Sequence, residues 1–299
     1  MSAGLLFDAP GPKARARYRV LTVIGIVLAL GAAYWVVRTF ASKDQLTADK
    51  WKPFLTADAW SQYLLIGLWH TIEAALVSIA LASVFGLLLG VGRLSENTPI
   101  RWLSSTVVEV FRSVPVLIMM IFAFGAYTSY GVFRDDLNPL AAVVTGLTLY
   151  NGSVIAELVR SGVHGLPKGQ REAGVSIGLT AAQTMRAILL PQAITAMLPA
   201  FIGQLVVILK DSALGTIITY DELLSWSRSL GSAYANTIPA YIVAALLFIA
   251  INFSLTLLAR KVQERLSRRG RALPDGDGAP GAGVTTGVVG TVATAPPST

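Results

Sequence analysis

Six long apolar stretches, separated by short charged segments, dominate this sequence. They cover residues 20–37, 64–91, 114–130, 138–158, 193–209 and 237–259. Each is close to or above the ~20 residues that a helix needs to cross a bilayer. The chain as a whole is 54% hydrophobic and only 14% charged, a balance that excludes an ordinary soluble domain. The sequence therefore predicts an all-α polytopic membrane protein with six transmembrane helices.

Composition excludes several other classes of protein. The 299 residues include no cysteine, so neither disulfides nor thiolate metal sites are available. His70 and His164 are far apart and have no neighbours at ligand spacing, so we predict no metal site. The net charge of +7 comes from basic residues that flank the apolar stretches, which favours contact with the lipid bilayer over nucleic acid. No serine, histidine and acid constellation indicates hydrolysis, and we predict no catalytic residues.

The N-terminal part divides into a basic tail, an apolar helix and a polar connector. We assign residues 1–19 to the tail, 20–40 to an extra transmembrane helix and 41–63 to an external connector. A cleavable signal peptide is the competing interpretation, because Thr39-Phe40-Ala41 loosely resembles a cleavage site. The apolar run is longer than a usual signal core and Arg38 separates it from that site, so an uncleaved helix is favoured.

The basic residues predict the orientation of the chain. Most of the 24 Lys and Arg fall in the tail, in 93–112, in 165–191 and just after 259, whereas the alternate segments are slightly more acidic than basic. By the positive-inside rule, both termini and the segment 165–191 are cytoplasmic, in a multi-pass protein of the cell membrane. Gly, Ala, Thr and Pro dominate the end of the chain, so 262–299 is predicted to be a disordered cytoplasmic tail.

Two local patterns add detail to the apolar stretches. Gly86-xxx-Gly90, followed by Gly92, would allow close helix contact, although glycine is also simply common in membrane helices. Residues 102–112 resemble an amphipathic helix that leads into the third stretch, with Pro115 at the junction.

One polar stretch, Gly165–Pro191, lies between strongly apolar neighbours. It carries helix-forming residues from 170 to 190 and small residues at positions 173, 174 and 178. This pattern predicts a short helix with one bare face, which suits docking into a groove of another protein.

The same stretch resembles the EAA loop of ABC-transporter permeases, in which Glu-Ala-Ala is followed by a glycine and a hydrophobic-Leu-Pro closure. At the matching positions stand Glu172, Ala173, Gly174, Gly178, Leu190 and Pro191. Gly174 departs from the pattern, since the family more often has alanine there. Residues 157–160, 167–170 and 209–212 further resemble the polar amino-acid uptake permeases, and the resemblance spans roughly 64–261.

The resemblance implies a five-helix ABC importer type I core at 64–261, preceded by the extra helix. The polar stretch would form a cytoplasmic coupling helix that docks on an ATPase, with an ordinary solvated loop as the alternative. The implied coupling residues are Gly169, Gln170, Glu172, Ala173, Gly174, Gly178 and Pro191. The chain has no Gly-x-x-x-x-Gly-Lys-Ser/Thr pattern, so we expect it to bind no cofactor and its partner ATPase to use the ATP.

Charged residues near membrane depth are the other candidates, because such residues usually face a cavity or pair with each other. The candidates for a substrate pathway are Glu109, Arg112, Glu157, Lys210 and Asp211. Glu109 and Arg112 could instead form a structural i,i+3 ion pair, and Glu157 could do the same with Arg160. By resemblance, Arg112 lies in a Glu-x-x-Arg-Gly-Thr-Pro-like motif and Lys210 in a Lys-Asp-Thr-Ser-like motif.

These features together predict a function. An amino acid needs acceptors for its ammonium group and a cation for its carboxylate, and the candidate set offers both. We expect the permease subunit of an ATP-driven ABC importer that moves a polar amino acid by alternating access. The opening LFDAPGPKAR resembles glutamate permease subunits of actinobacteria and favours glutamate. Expected partners are two ATPase subunits, a second permease subunit and an external substrate-binding protein. The alternative, an ion-coupled secondary transporter, would need internal repeats.

Overall fold

A computed structural model describes residues 11–271, with side chains through residue 264. The regular elements of that part are all helical, which confirms the all-α prediction. They are α1 (Pro12–Ser42), α2 (Ala48–Trp51), α3 (Ala57–Ala59), α4 (Leu65–Arg93), α5 (Thr98–Ser113), α6 (Val116–Tyr130), α7 (Asn138–His164), α8 (Gly169–Ser176), α9 (Ala181–Thr184), α10 (Leu190–Asp211), α11 (Leu223–Ala233) and α12 (Thr237–Arg271). Short 3-10 turns lie at Lys52–Leu55 and Ser212–Ile218, and π turns at Trp60–Leu64 and Met185–Leu189.

The chain bends sharply just before the predicted third span. In the described part of the chain, five helical segments are long and apolar enough to cross a membrane, and they contain α1, α4, α7, α10 and α12. A sixth span exists if α5 and α6 count as one. The axes of that pair differ by 98°, so the break lies at the junction that contains Pro115, and α6 covers nearly all of the predicted span 114–130. Pro115 explains the break, because a proline disfavours the helical conformation of the residue before it. Val114 accordingly has an extended backbone, with ψ 129°.

Glycines bring α4 and α7 into close contact. A Cβ built on Gly86 would lie 2.6 Å from the backbone oxygen of Gly152. A Cβ built on Gly90 would lie 2.7 Å from the Cβ of Val159. Real Cβ atoms do not approach so closely, so a larger residue at either glycine would force the helices apart. The Gly86-xxx-Gly90 pattern therefore sets a helix contact, as the first of its two interpretations predicts.

The centre of the bundle is built around α7. It packs against α4, α6 and α10, and the shared core includes the buried residues Ala82, Met120, Leu147, Ile155 and Ile208. Lipid tails are as apolar as these side chains, so the close fit of the helices, rather than removal from water, holds such a bundle together.

A second core lies where residues 48–64 pack on α11 and α12. It includes Phe54, Leu64, Leu223 and Leu230. The Trp60 indole N–H donates to the backbone oxygen of Phe54 at 2.8 Å, which fixes the chain over this core. The predicted connector 41–63 is therefore largely helical and packed. We call this end of the bundle the connector end, and the opposite end, where α8 lies, the loop end.

Three helices extend beyond their predicted bounds. α1 begins at Pro12 instead of residue 20, so most of the described tail is helical. α7 continues to His164 instead of 158, and α12 continues to Arg271 instead of 259. Lys, Arg, Gln and Glu are good helix formers, and so polarity alone did not end these helices. The predicted disordered tail at 262–299 is thus helical to residue 271, and the remainder lies outside the described residues.

Candidate coupling segment and charge cluster

The polar stretch folds as two helices joined by a tight turn. α8 ends at Ser176, and the next helix begins at Ala181 and continues through the π turn into α10. Between them, Gly178 has φ +81°, a conformation that glycine adopts without strain. Thr180 then starts the second helix through a capping box with Gln183, because each side chain satisfies a free backbone N–H of the first turn.

The prediction of a single short helix with positions 173, 174 and 178 on one bare face is therefore wrong. Gly178 was assigned to the bare face of that helix, but it forms the break between two helices. Pro191 was assigned to the closing position, but it lies in the first turn of α10, where a missing backbone N–H is tolerated.

Gly174 faces inward, against the second helix. A Cβ built on it would lie 2.6 Å from Thr184 Cγ2 and 2.7 Å from Thr184 Oγ1. The Thr184 side chain thus occupies the space that an alanine would need. This steric limit explains why position 174 has glycine instead of the alanine of the EAA pattern.

The outward side of the turn carries apolar residues. Val175 is 60% exposed and Ile177 is 73% exposed, and Gly178 beside them faces open space. We call Val175, Ile177 and Gly178 the docking patch. Large exposed apolar side chains in so polar a segment favour contact with a partner. Sequence reasoning missed Val175 and Ile177, although two apolar residues flanking a glycine turn were a visible signal.

The remaining predicted coupling residues lie along α8. Gly169, Glu172 and Ala173 are exposed, and Gln170 is half-buried. Gln192 Nε2, at the start of α10, donates to Gln170 Oε1 at 3.0 Å. Arg171 Nη2 lies 3.6 Å from Glu96 Oε1, in the turn between α4 and α5. α8 is therefore attached to the bundle at two points.

Five charged side chains from three helices meet at the loop end. This charge cluster consists of Arg93 of α4, Glu109 and Arg112 of α5, and Glu157 and Arg160 of α7. Glu157 is its centre and accepts hydrogen bonds from Arg93 at 2.6 Å, Arg160 at 3.1 Å and Arg112 at 3.4 Å. Arg93 also donates to Glu109 Oε1 at 3.0 Å. The cluster thus joins α4, α5 and α7.

The cluster contains three of the predicted pathway residues, but their ion pairs differ in part from the i,i+3 pairs that the sequence suggested. Glu109 bonds to Arg93, so the suggested i,i+3 pair with Arg112 is replaced by contacts between helices. The suggested pair of Glu157 with Arg160 is present. Sequence reasoning missed Arg93, which it counted only as a basic loop residue. Its place at the end of an apolar helix with a glycine stripe was the available signal.

The cluster carries an excess of positive charge. Three guanidinium groups face two carboxylates, and the Arg93 side chain is only 6% exposed. The Arg112 and Arg160 side chains are 37% and 43% exposed. Arg112 has the longest contact with Glu157, so its guanidinium can most easily exchange Glu157 for another carboxylate.

Lys210 and Asp211 lie far from the charge cluster. They end α10, which has 22 residues and is therefore about 33 Å long. Because α10 begins beside α8, these two residues lie at the connector end. Lys210 is exposed and Asp211 is half-buried. The predicted pathway residues thus form two groups at opposite ends of the bundle.

Neutral polar pairs lie between those ends. Gln204 of α10 donates to the side-chain oxygen of Asn151, which is fully buried in α7. Tyr127 of α6 and Thr145 of α7 share a hydrogen bond of 2.8 Å. Sequence reasoning considered only ionisable residues at this depth and missed all four.

The connector end contains a buried carboxylate. Glu222 has no exposed surface and caps α11 by accepting from the backbone N–H groups of Leu224 at 2.8 Å and Ser225 at 3.0 Å. Burial raises the pKa of Glu222 to about 7, against the lowering effect of those two hydrogen bonds. The next residue, Leu223, donates its backbone N–H to Thr71 of α4 at 3.0 Å. Sequence reasoning did not single out Glu222.

Within the described residues, no group of three or more His, Asp or Glu side chains is placed to hold a metal ion. The charged and polar side chains described above lie at both ends and along the centre of the helical bundle.

Comparison with known proteins assigns the class. Residues 82–268 match the family described as "Binding-protein-dependent transport system inner membrane component". The match covers more than half of the chain, which therefore belongs to this family of membrane-spanning subunits.

Relatives and solved structures narrow the class further. The glutamate transport system permease protein GluD of Corynebacterium glutamicum is 49% identical over 228 residues, 76% of this chain and 83% of the relative. The probable glutamine ABC transporter permease protein GlnP of Bacillus subtilis is 34% identical over 202 residues, 67% of this chain and 91% of the relative. A crystal structure of an amino acid ABC transporter with histidines matches with TM-score 0.64 and 25% identity, over 71% of this chain and 98% of that one. The chain is a permease subunit of the amino-acid ABC type, and it is not itself an enzyme.

Proposed function

We propose that this chain is the transmembrane subunit of an ATP-driven importer of glutamate, in the cell membrane with both termini cytoplasmic. The 49% identity with the glutamate permease GluD supports the substrate. The positions of the basic residues support the orientation, because the loop end and both ends of the chain carry the excess of Lys and Arg.

The exposure of the docking patch is the observation that best supports a role in coupling. Val175 and Ile177 expose apolar surface on a segment that is itself attached to the bundle through Gln170 and Arg171. A partner that binds the patch can therefore move the helices as well as bind them. The partner would be one of two cytoplasmic ABC ATPase subunits, which use ATP, and a second permease subunit and an external binding protein would complete the importer.

The charge cluster suits an anionic amino acid at the loop end of the pathway. Glutamate carries two carboxylates and one ammonium group. Arg112 would exchange its long contact with Glu157 for a substrate carboxylate, and the exposed Glu109 would receive the ammonium group. Lys210 and Asp211 would offer the same two charges at the connector end.

The test is reconstitution of the complex in vesicles. The tagged chain is purified from detergent-solubilised native membranes, co-purifying proteins are identified by mass spectrometry, and uptake of labelled glutamate, aspartate and glutamine is measured with and without ATP. We expect an ATPase and a binding protein to co-purify, and glutamate uptake to require ATP. Uptake by the chain alone, driven by an ion gradient, would show a secondary transporter instead.

Arg112→Ala tests the pathway within the same system. We expect it to abolish glutamate uptake while the ATPase remains bound, and Arg112→Lys to retain part of the uptake because the charge remains without the planar fork. Unchanged uptake in Arg112→Ala would make Arg112 a structural residue.

A further inference from the structure

A short run of residues fastens α11 to the start of α4 at the connector end. The Tyr220 hydroxyl donates to the backbone oxygen of His70 at 2.7 Å, and the His70 ring nitrogen Nδ1 donates to the backbone oxygen of Asp221 at 2.7 Å. Two residues later, the backbone N–H of Leu223 donates to the Thr71 hydroxyl at 3.0 Å. The chain that enters α11 is therefore bound to α4 on both sides of residue 222.

The two helices also fit closely at this contact. A Cβ built on Gly67 of α4 would lie 2.8 Å from the Cα of Leu223 and 2.8 Å from the Cβ of Trp226, so only glycine leaves room for α11 there. We call residues 220–223 the latch. Because α11 packs against α12 as well, the latch joins two membrane-spanning helices at the same end of the bundle.

The latch encloses a carboxylate that neither the coupling segment nor the charge cluster uses. Glu222 has no exposed surface, and it forms no ion pair in the described part of the chain. Its oxygens accept from the backbone N–H groups of Leu224 and Ser225, which favours the ionised form. Burial outweighs this effect and raises the pKa of Glu222 to about 7, because a charge without a cation is costly in a site closed to water.

The ionisable groups around Glu222 do not compensate its charge. Asp221 beside it raises the pKa of Glu222 further. Burial, together with the carboxylates of Glu73 and Glu222, raises the pKa of Tyr220, so these acids share one neighbourhood. The His70 ring is already bound to a backbone oxygen. Other ionisable residues on α11, on the π turn 60–64 and near the start of α12, elements that pack together, are Arg228, Tyr63 and Tyr241.

We propose that Glu222 makes the latch a proton-controlled contact between α11 and α4. While the carboxyl group is neutral, it caps α11 inside the closed site, and α11 stays seated on α4. Once ionised, the carboxylate is best stabilised by water, so the latch opens and α11 leaves its seat. In the proposed orientation the latch is external and responds to the pH outside the cell. Release of α11 would free the outer ends of α4 and α12 to separate, an effect that rests on the proposed importer function.

The experiment measures how often α11 leaves its seat. Because the natural chain has no cysteine, Ser227→Cys gives a unique thiol at a position with no exposed surface, and Ser229→Cys gives an exposed control on the same helix. The full chain is reconstituted in vesicles and treated with a membrane-impermeant thiol reagent. The ratio of the two labelling rates cancels the intrinsic pH dependence of thiol reactivity and reports the opening of the latch.

The shape of the pH profile is fixed by the two pKa values. With a pKa of about 7 in the seated state and the usual 4.5 after release, the labelling ratio should rise about tenfold per pH unit from pH 5 toward pH 7 and level off above it. Hydrogen exchange of the α11 backbone amides gives the same measurement in the natural chain, so the result does not depend on either cysteine variant folding normally.

Two further variants separate Glu222 from other titrating groups. In Glu222→Gln, which is neutral at every pH, the labelling ratio should stay constant. In Asp221→Asn, which removes the neighbouring exposed acid, the rise should persist. A constant ratio and constant amide exchange with an intact Glu222, or an equal rise in Glu222→Gln, would overturn the proposal.

Uptake tests the consequence for transport. In vesicles that contain the complete importer at a fixed internal pH, raising the external pH from 5 to 7 should increase ATP-driven glutamate uptake more in the natural chain than in Glu222→Gln. The same pH profile in both proteins would overturn the control of the outer ends. Absence of ATP-driven uptake at every pH would instead contradict the proposed function, and the labelling ratio would still decide whether the latch exists.

Discussion

Arg93→Met tests whether the charge cluster holds three helices together. The substitution keeps a long, flexible side chain at the end of α4 but removes the guanidinium that donates to Glu157 at 2.6 Å and to Glu109 at 3.0 Å. Glu157 keeps Arg160 at 3.1 Å and Arg112 at 3.4 Å. The variant therefore removes the shortest contact of the cluster without leaving its central carboxylate alone.

The expected loss follows from the exposure of each partner. A hydrogen bond to a charged group contributes about 1.5–3 kcal/mol when it is shielded, and the Glu157 side chain is only 23% exposed. Glu109 is 61% exposed, so its contact contributes about 0–1 kcal/mol. Arg93 Nε is buried without a hydrogen-bond partner among the described residues, and removing that unsatisfied group recovers about 1 kcal/mol. We expect Arg93→Met to lower the free energy of unfolding by about 0.5–3 kcal/mol.

The measurement is unfolding in mixed detergent micelles, followed by circular dichroism, with Glu109→Gln as the matched control. The control breaks only the exposed contact and should change the free energy of unfolding by less than about 1 kcal/mol. Glu157→Gln should be more damaging than Arg93→Met, because it leaves three guanidinium groups around a neutral side chain. The double variant of Arg93 and Glu157 should lose less than the sum of the single losses. An Arg93→Met protein as stable as the natural one, or a control with an equal loss, would refute this account of the cluster.

Three further predictions concern the coupling segment and the connector end. Gly178→Ala should reduce ATP-driven uptake because φ +81° strains any side chain, and Gly178→Asp should reduce it further by adding a charge to the docking patch. The control is Gly131→Asp, which places the same side chain at another positive φ, +59°, in open space outside the coupling segment. Equal uptake in both Gly178 variants would show that charge is irrelevant. Gly174→Ala should destabilise the segment by about 1–3 kcal/mol through its clash with Thr184, and Thr184→Ala should restore thermal stability and uptake; a harmless Gly174→Ala would exclude the steric account. Because the pKa of Glu222 is raised to about 7 from its usual 4.5, its contribution to stability is fully present below pH 4.5 and is lost as the pH rises through 7. Between pH 4 and 8, the melting temperature should therefore fall more steeply in the natural chain than in Glu222→Gln. Parallel curves for the two proteins would contradict the raised pKa.

The helical class and the location of the spans could be predicted because the apolar runs match the length of a bilayer. The break at Pro115 could be predicted from the proline, but the angle of 98° could not, because it depends on how α5 and α6 each pack against α7. The bounds of α7 and α12 could not be predicted from polarity, because Lys, Arg and Glu continue a helix as readily as they end one. Local composition therefore indicates where a helix crosses the membrane better than where it stops.

The candidate site shows the same division between local and long-range information. The polar segment and most of its residues were found, because a motif is local in sequence. Gly178 was wrongly placed on the bare face of a helix, because a sequence does not distinguish a glycine at positive φ from a glycine on such a face. The pair of Glu157 with Arg160 could be suggested from their spacing, but the contact with Arg93 could not. Arg93 is 64 residues away, and only the packing of α4 on α7 brings the two together.

The packing of α4 on α7 also determines how a motion of α8 could travel. At Gly86 and Gly90 the two helices lie too close together to leave room for a Cβ, and the charge cluster joins their loop ends through Arg93 and Glu157. A displacement of α8, attached to the turn after α4 by Arg171 and to α10 by Gln170, would therefore move α4 and α7 as one body instead of bending either. A bulkier residue at Gly86 would separate the two helices. We expect the ATPase subunits to remain bound to that variant, but their ATP hydrolysis should no longer depend on the loaded binding protein.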